Sequence, residues 1–199
     1  MLAEILIQNL SVVFVGSAIS ETSDELGFYY LGPNNSFWEL LEFARITPTH
    51  MLPPSERKVL VNAKKDGVLN DMYKQFFFER KESQLLKHGI GLTDLNRRRV
   101  FSNDDDPAAK PTIDDIQKFI RKVEKYRPKI LAFTANVETF ENAFKVNYPS
   151  ANRQRGKQDF LIGNSEVWLL GSTRGRVKDT DALEQVFEDL ADRLKGLKQ

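Results

Sequence analysis

The clearest pattern in the chain is an uninterrupted apolar run, Val12-Val13-Phe14-Val15, closed by Gly16-Ser17. A short apolar run without alternation reads as a strand buried on both faces, ending at Gly16. The period changes after Pro33-Asn34-Asn35. Phe37, Leu40, Leu41 and Ala44 recur at helical spacing, with Asn35 placed to cap the helix and Pro48 to stop it. Thr112, with Asp115 three positions later, predicts a capping box on a helix that turns Ile116, Phe119, Ile120 and Val123 inward. Pro128 introduces a second apolar strand, Ile130-Leu131-Ala132-Phe133, and Asn136 caps the helix after it. Residues 159–162 and 166–170 read as two strands around Gly163-Asn164. A final amphipathic helix opens at Asp179 or Asp181 and buries Leu183, Val186, Phe187, Leu190 and Leu194. Strands alternating with helices predict an α/β fold, a three-layer α/β/α sandwich around a mostly parallel central sheet.

Other stretches carry weaker periods. From His50 to Lys81, Pro53-Pro54 breaks structure, and Tyr73, Phe76, Phe77 and Phe78 suggest a short helix packed on the body. Residues 49–80 are read as an insertion without a place in the pattern, inside a single domain spanning 1–199. Leu85-Leu86 reads as a helix end, and Gly89–Asp94 as a loop after it. Arg97–Arg99, Asp104–Asp106, Pro107 and Pro111 read as a solvated surface loop.

Composition narrows the chemistry. The chain has no cysteine, which excludes disulfides, thiolate nucleophiles and cysteine-ligated zinc or iron–sulfur clusters. His50 and His88 are too few for a histidine-rich metal site, so no cofactor is expected. With 41% hydrophobic and 29% charged residues, the chain reads as an ordinary soluble protein. Its first residues are interrupted by Gln8, Asn9 and Ser11 and lack a basic leader, so neither secretion nor a membrane is expected. The expected location is cytoplasmic, beside the nucleoid, or nuclear. A net charge of +1 carries no global signal of polyanion binding. Locally, Arg153, Arg155, Lys157, Arg174, Arg176 and Lys178 stand against only Asp159 and Glu166, which reads as a basic surface.

Several pieces, in order, resemble a known pattern: Gly16-Ser17, Gly27–Trp38, Gly89–Leu95, Tyr126–Phe133, Gly156-Lys157-Gln158 and Val167–Gly175. Together they resemble the uracil-DNA glycosylase superfamily, nearest its mismatch-specific uracil/thymine branch and its hypoxanthine branch. The resemblance implies the fold just described, and a reaction. A deaminated or mismatched base is flipped out of DNA and its N-glycosidic bond is hydrolysed through an oxocarbenium-like transition state. It also implies DNA, duplex or single-stranded, as the partner. A monomer is expected, and the lack of a clear lysine nucleophile at the site, with Lys157 and Lys178 left open, reads as a monofunctional enzyme.

The resemblance carries roles residue by residue. Where the mismatch-specific branch has a water-positioning asparagine, this chain has Ala18, whose methyl group cannot hold water. In the hypoxanthine-type branch that role falls to an asparagine of a Pro-x-Asn-x-Phe-Trp motif, matched here by Asn35. Asp94, after the Gly-x-Gly-x-Thr-like loop, is the second candidate, since a carboxylate can orient water and stabilise a sugar cation. Gly16 and the backbone amides of Ser17 and Ala18 correspond to the base-binding loop, and Tyr30 to the ring that stacks on the base. In Leu170–Arg176, Ser172 and Thr173 match phosphate contacts, Arg174 and Lys178 extend the basic surface, and Arg176 falls near a minor-groove wedge. The histidine electrophile of the uracil-specific branch is absent from this loop. Two rival readings stay open: a DNA-binding relative without activity, and a small-molecule hydrolase on the same fold.

Overall fold

A computed structural model describes residues 1–32, 34–47, 80–82, 84–102, 106–174 and 180–197, with Ser55 and Asn62 singly. The elements run β1 (Val12–Ser20), α1 (Glu21–Leu26), α2 (Phe37–Phe43), β2 (Ile90–Phe101), a 3-10 turn (Pro107–Ala109) and α3 (Ile113–Tyr126). Then come β3 (Ile130–Phe133), α4 (Val137–Phe144), β4 (Gly156–Ile162), β5 (Ser165–Leu169) and α5 (Thr180–Gly196). Among the described residues the strands form one sheet in the order β2-β1-β3-β5-β4, parallel except for β4 against β5.

Alternation along β1 builds the two halves of the core. Val12 and Phe14 face the cluster made by α2, α5 and residues 26–31, whereas Val13 and Val15 face α3 and α4. On the first side Phe14 packs edge-on against Phe37, their centroids 5.2 Å apart. On the second, Phe133 meets Phe119, Phe140 and Phe144 at 5.0–5.7 Å. Helices therefore cover both faces, as the expected three-layer sandwich requires. Side chains of this size each contribute roughly 1.5–3 kcal/mol on burial. No described helix is long and apolar enough to cross a membrane.

Local chemistry sets several boundaries. The Thr112 side chain accepts from Asp115 N–H while the Asp115 carboxylate accepts from Thr112 N–H, the capping box read from the sequence. Asn136 Oδ1 accepts from Glu138 N–H at 2.9 Å and starts α4.

Three expectations need correction. The strand expected to end at Gly16 continues to Ser20, because β2 goes on pairing with it (Gly16 with Asp94, Ala18 with Asn96) after β3 has stopped at Phe133. Gly89–Asp94, expected as a loop, instead leads into β2, buried from Ile90 to Leu95. The amino-terminal segment crosses that strand, with Ile5 and Leu92 exchanging both backbone hydrogen bonds at 3.0 Å. Gly91 fits this crossing, since a Cβ there would lie 2.7 Å from the Ile5 carbonyl oxygen. Arg97–Arg99, expected in a solvated loop, belong to β2 as well, and Arg97 is folded inward. The expected helix around Tyr73–Phe78 and the insertion at 49–80 lie outside the described residues, save Ser55, Asn62 and Arg80.

Candidate active site

Chain order reverses beside β1: the first connection leads to β2 on one side, the next to β3 on the other. Ligands of open α/β sheets bind at such a switch, outside the carboxyl ends of the strands. A cleft of about 790 Å³ opens at that point, and its walls include Gly16, Ser17, Ala18, Tyr30, Asn35, Asp94 and Thr134. Ser172, Thr173 and Arg174 close its far side, so loops distant in sequence meet here as the resemblance implies.

Asp94 lies at the centre. It is 5% exposed, pairs in register with Gly16, and turns Oδ1 over the Gly16 Cα, where a Cβ would collide with it. The same Cβ would stand 3.5 Å from Tyr30 Oη, so carboxylate and phenol share the space that the glycine leaves. Arg97 Nη1 lies 3.8 Å from Asp94 Oδ2.

Tyr30 holds a left-handed backbone (φ 58°), rare for an aromatic residue. Its ring stacks on Phe37 at 3.8 Å, and its hydroxyl shares a 2.9 Å hydrogen bond with Thr134 Oγ1. Burial, and then the Asp94 carboxylate, push its phenol well above the ordinary value, so it stays neutral.

Asn35 ties two loops together. Its Oδ1 accepts from Phe37 N–H at 2.9 Å and from Thr173 Oγ1 at 3.0 Å. Both lone pairs of the amide oxygen are thereby engaged. The Thr173 carbonyl accepts from Ser36 N–H at 2.9 Å and from Ser36 Oγ at 3.1 Å, and Asn35 forms an antiparallel bridge with Arg174. Asn35 is not the helix cap that was expected: α2 begins at Phe37 with Ser36 at its N-cap, whose side chain makes no capping bond, and Asn35 stands one residue earlier.

The backbone separates the two amides expected to hold a base. Val12 N–H donates to Gly89 O on the β2 side, while Val15 O accepts from Thr134 N–H on the β3 side. Alternation then turns Ser17 N–H toward the gap that β3 leaves, and Ala18 N–H toward β2.

The expected phosphate contacts divide in the same way. Ser172 is half-buried and accepts from Arg174 N–H at 3.2 Å, and Arg174 is exposed at the cleft. Thr173 is 2% exposed with its hydroxyl on Asn35, which makes it a clamp between loops and not a phosphate contact. The basic surface is smaller than its sequence count. Glu141 of α4 pairs with Arg153 at 2.6 Å, and Glu166 lies 3.4 Å from Lys157. Arg176 and Lys178 lie outside the described residues.

Thr134 escaped the sequence reading, although it is the first polar residue after an apolar strand, a signal that strand-end logic could have caught. Of the arginines 97–99, Arg97 is the one that lies beside Asp94. Among the described residues, no group of three or more His, Asp or Glu could hold a metal ion.

Sheet order, cleft and converging loops define an open α/β protein with its site at the topological switch. Residues 5–192 match the family model of the Uracil DNA glycosylase superfamily. The chain belongs to that superfamily.

Proposed function

We propose that this chain is a monofunctional DNA glycosylase that takes a deaminated or mismatched base (uracil, hypoxanthine or a relative) into the cleft and hydrolyses its N-glycosidic bond. The observation that carries this reading is the Asp94 carboxylate, buried at the cleft over the bare Cα of Gly16 and beside Tyr30. Base loss builds positive charge on the sugar and negative charge on the base. A carboxylate beside the sugar stabilises the first and accepts the proton of an attacking water. The water oxygen bonds C1′ as the C1′–N bond breaks and its electron pair leaves with the base. In this reading Ser17 N–H would meet a base carbonyl, and Tyr30, which lines the cleft, would stack on the base, worth roughly 1–3 kcal/mol. Ser172 and Arg174 at the rim are suited to phosphates. Asn35 ranks behind Asp94, because a water would have to displace Phe37 N–H or Thr173 from its oxygen. The monofunctional reading rests on the described residues: Lys110, the one lysine among them that lines the cleft, is exposed at its rim, and Lys157 lies 3.4 Å from Glu166.

Oligonucleotides carrying uracil, hypoxanthine, xanthine or mismatched thymine, followed by alkaline cleavage, test the reading. Excision of at least one lesion is expected. Asp94→Asn should lower single-turnover excision by on the order of 10²–10⁴-fold and Asn35→Ala by less. A second reading, a DNA-binding relative without activity, is favoured by Ala18 and by the engaged oxygen of Asn35. Binding of lesion duplexes with no excision across the panel would select it.

A further inference from the structure

We infer that Arg97 is the positioning residue of Asp94, holding it as an anion, and that the amino-terminal segment tunes this through Glu4. The inference deepens the glycosylase reading and rests on it for the catalytic consequence alone.

Arg97 reaches several partners at once. Nη1 donates to Tyr29 Oη at 2.9 Å and lies 3.8 Å from Asp94 Oδ2. Nη2 donates to the Leu2 carbonyl, and Nε lies 3.6 Å from Glu4 Oε1. These partners are themselves fixed. Tyr29 is buried and its carbonyl accepts from Trp38 Nε1 at 3.1 Å; Leu2 is buried, and Ile5 is locked to Leu92. Glu4 also accepts from Thr93 Oγ1 and pairs with Lys122 of α3. A guanidinium held from several sides cannot swing away from the carboxylate beside it.

The charges around Asp94 act in opposite directions. Arg97 on its own strand favours the anion. Glu4 from the amino-terminal segment opposes it and competes for the same guanidinium, while Lys122 partly offsets Glu4. Among the described residues Tyr29 and Tyr30 are further titratable neighbours, and both are neutral. Burial first, then Asp94, raise both phenols, and Arg97 draws Tyr29 back. The side chains of Asp94 and Arg97 are 6% and 19% exposed, so solvent screens this pair less than a surface pair. An opposite charge at this range lowers a carboxylate pKa by about 1–3 units.

Two substitutions should therefore move one titration in opposite senses. The Asp94 carboxyl carbon, assigned through Asp94→Asn, is titrated by 13C NMR in the protein without DNA, beside the acid limb of kcat/KM on the excised lesion. Arg97→Met should raise both midpoints by about one pH unit or more, a tenfold change in proton affinity. Glu4→Gln should lower them, and Arg97→Lys, which keeps the charge, should stay nearer the native midpoint than Arg97→Met. A merely structural role would reduce stability or rate without shifting either midpoint. An unmoved midpoint in folded Arg97→Met, or an upward shift in Glu4→Gln, overturns the inference. Should Arg97→Met fail to fold, the downward shift in Glu4→Gln decides alone. Normal excision by Asp94→Asn would instead remove Asp94 from the chemistry, a failure of the functional reading that the NMR midpoints register separately.

Discussion

At the scale of single residues the site depends on what is missing from Gly16. Its bare Cα makes room for Asp94 Oδ1, and that carboxylate is held in turn beside Arg97. Gly16→Ala should therefore displace the carboxylate or bend β1, lowering excision by on the order of 10²-fold, the usual effect of an ångström of misplacement. Single-turnover excision read beside thermal melting checks this, since a loss of rate larger than the loss of stability explains is the expected result. Undiminished excision would show that Asp94 does not sit there during the reaction. Ala18 poses the converse case. It lines the cleft at the position where the resemblance to the mismatch-specific branch implies an asparagine, so Ala18→Asn should gain or broaden uracil excision. An unchanged lesion panel in a folded variant would mean that the loop backbone has diverged along with the side chain.

At the scale of elements, the two motif loops work as one unit because Thr173 and Ser36 stitch them together. Thr173→Val removes the hydroxyl and keeps the shape. It should cost about 1 kcal/mol of stability, the usual worth of one hydrogen bond, and lower excision, while Thr173→Ser should preserve both. Denaturant unfolding and excision of the three proteins decide it, and equal behaviour of valine and threonine would disprove the clamp. The elements were legible in the sequence where local chemistry is strong. The capping box at Thr112, the buried run at Val12–Val15 and the turn at Gly163-Asn164 all stand where they were read. What escaped depends on partners far away in the chain. Gly91 hides a strand because its lack of a side chain serves the crossing of residue 5, which no local window shows. Ser17 and Ser20 break the apolar run where β3 no longer pairs with β1, so this half of the strand lacks the continuous apolar signature although Ile19 is buried. That Asp94, Tyr30 and Asn35 would meet at one cleft was readable by resemblance. The bond between Asn35 and Thr173 spans 138 positions and was not.

At the scale of the whole molecule, Glu166 joins the sheet to its outer layer. Its carboxylate, on β5, accepts from Arg193 Nε of α5 at 3.0 Å and from Trp168 Nε1 at 3.5 Å, with Lys157 of β4 at 3.4 Å. The hydrogen bonds from Arg193 lead in holding it below its ordinary value of 4.5. The folded protein therefore binds this proton less readily than the unfolded chain. The contribution of Glu166 is fully present above the unfolded pKa, and is lost as pH falls through the lower folded one. Glu166→Gln keeps the volume but cannot carry the charge. Wild type should be the more stable at pH 7, and the gap should close as pH falls below about 4, where the unfolded carboxylate takes up its proton. Urea unfolding of both proteins across pH 3–7 measures the gap directly. A gap of constant size down to pH 3 would mean that Glu166 acts by shape alone, and that its charge does not bind α5 to the sheet.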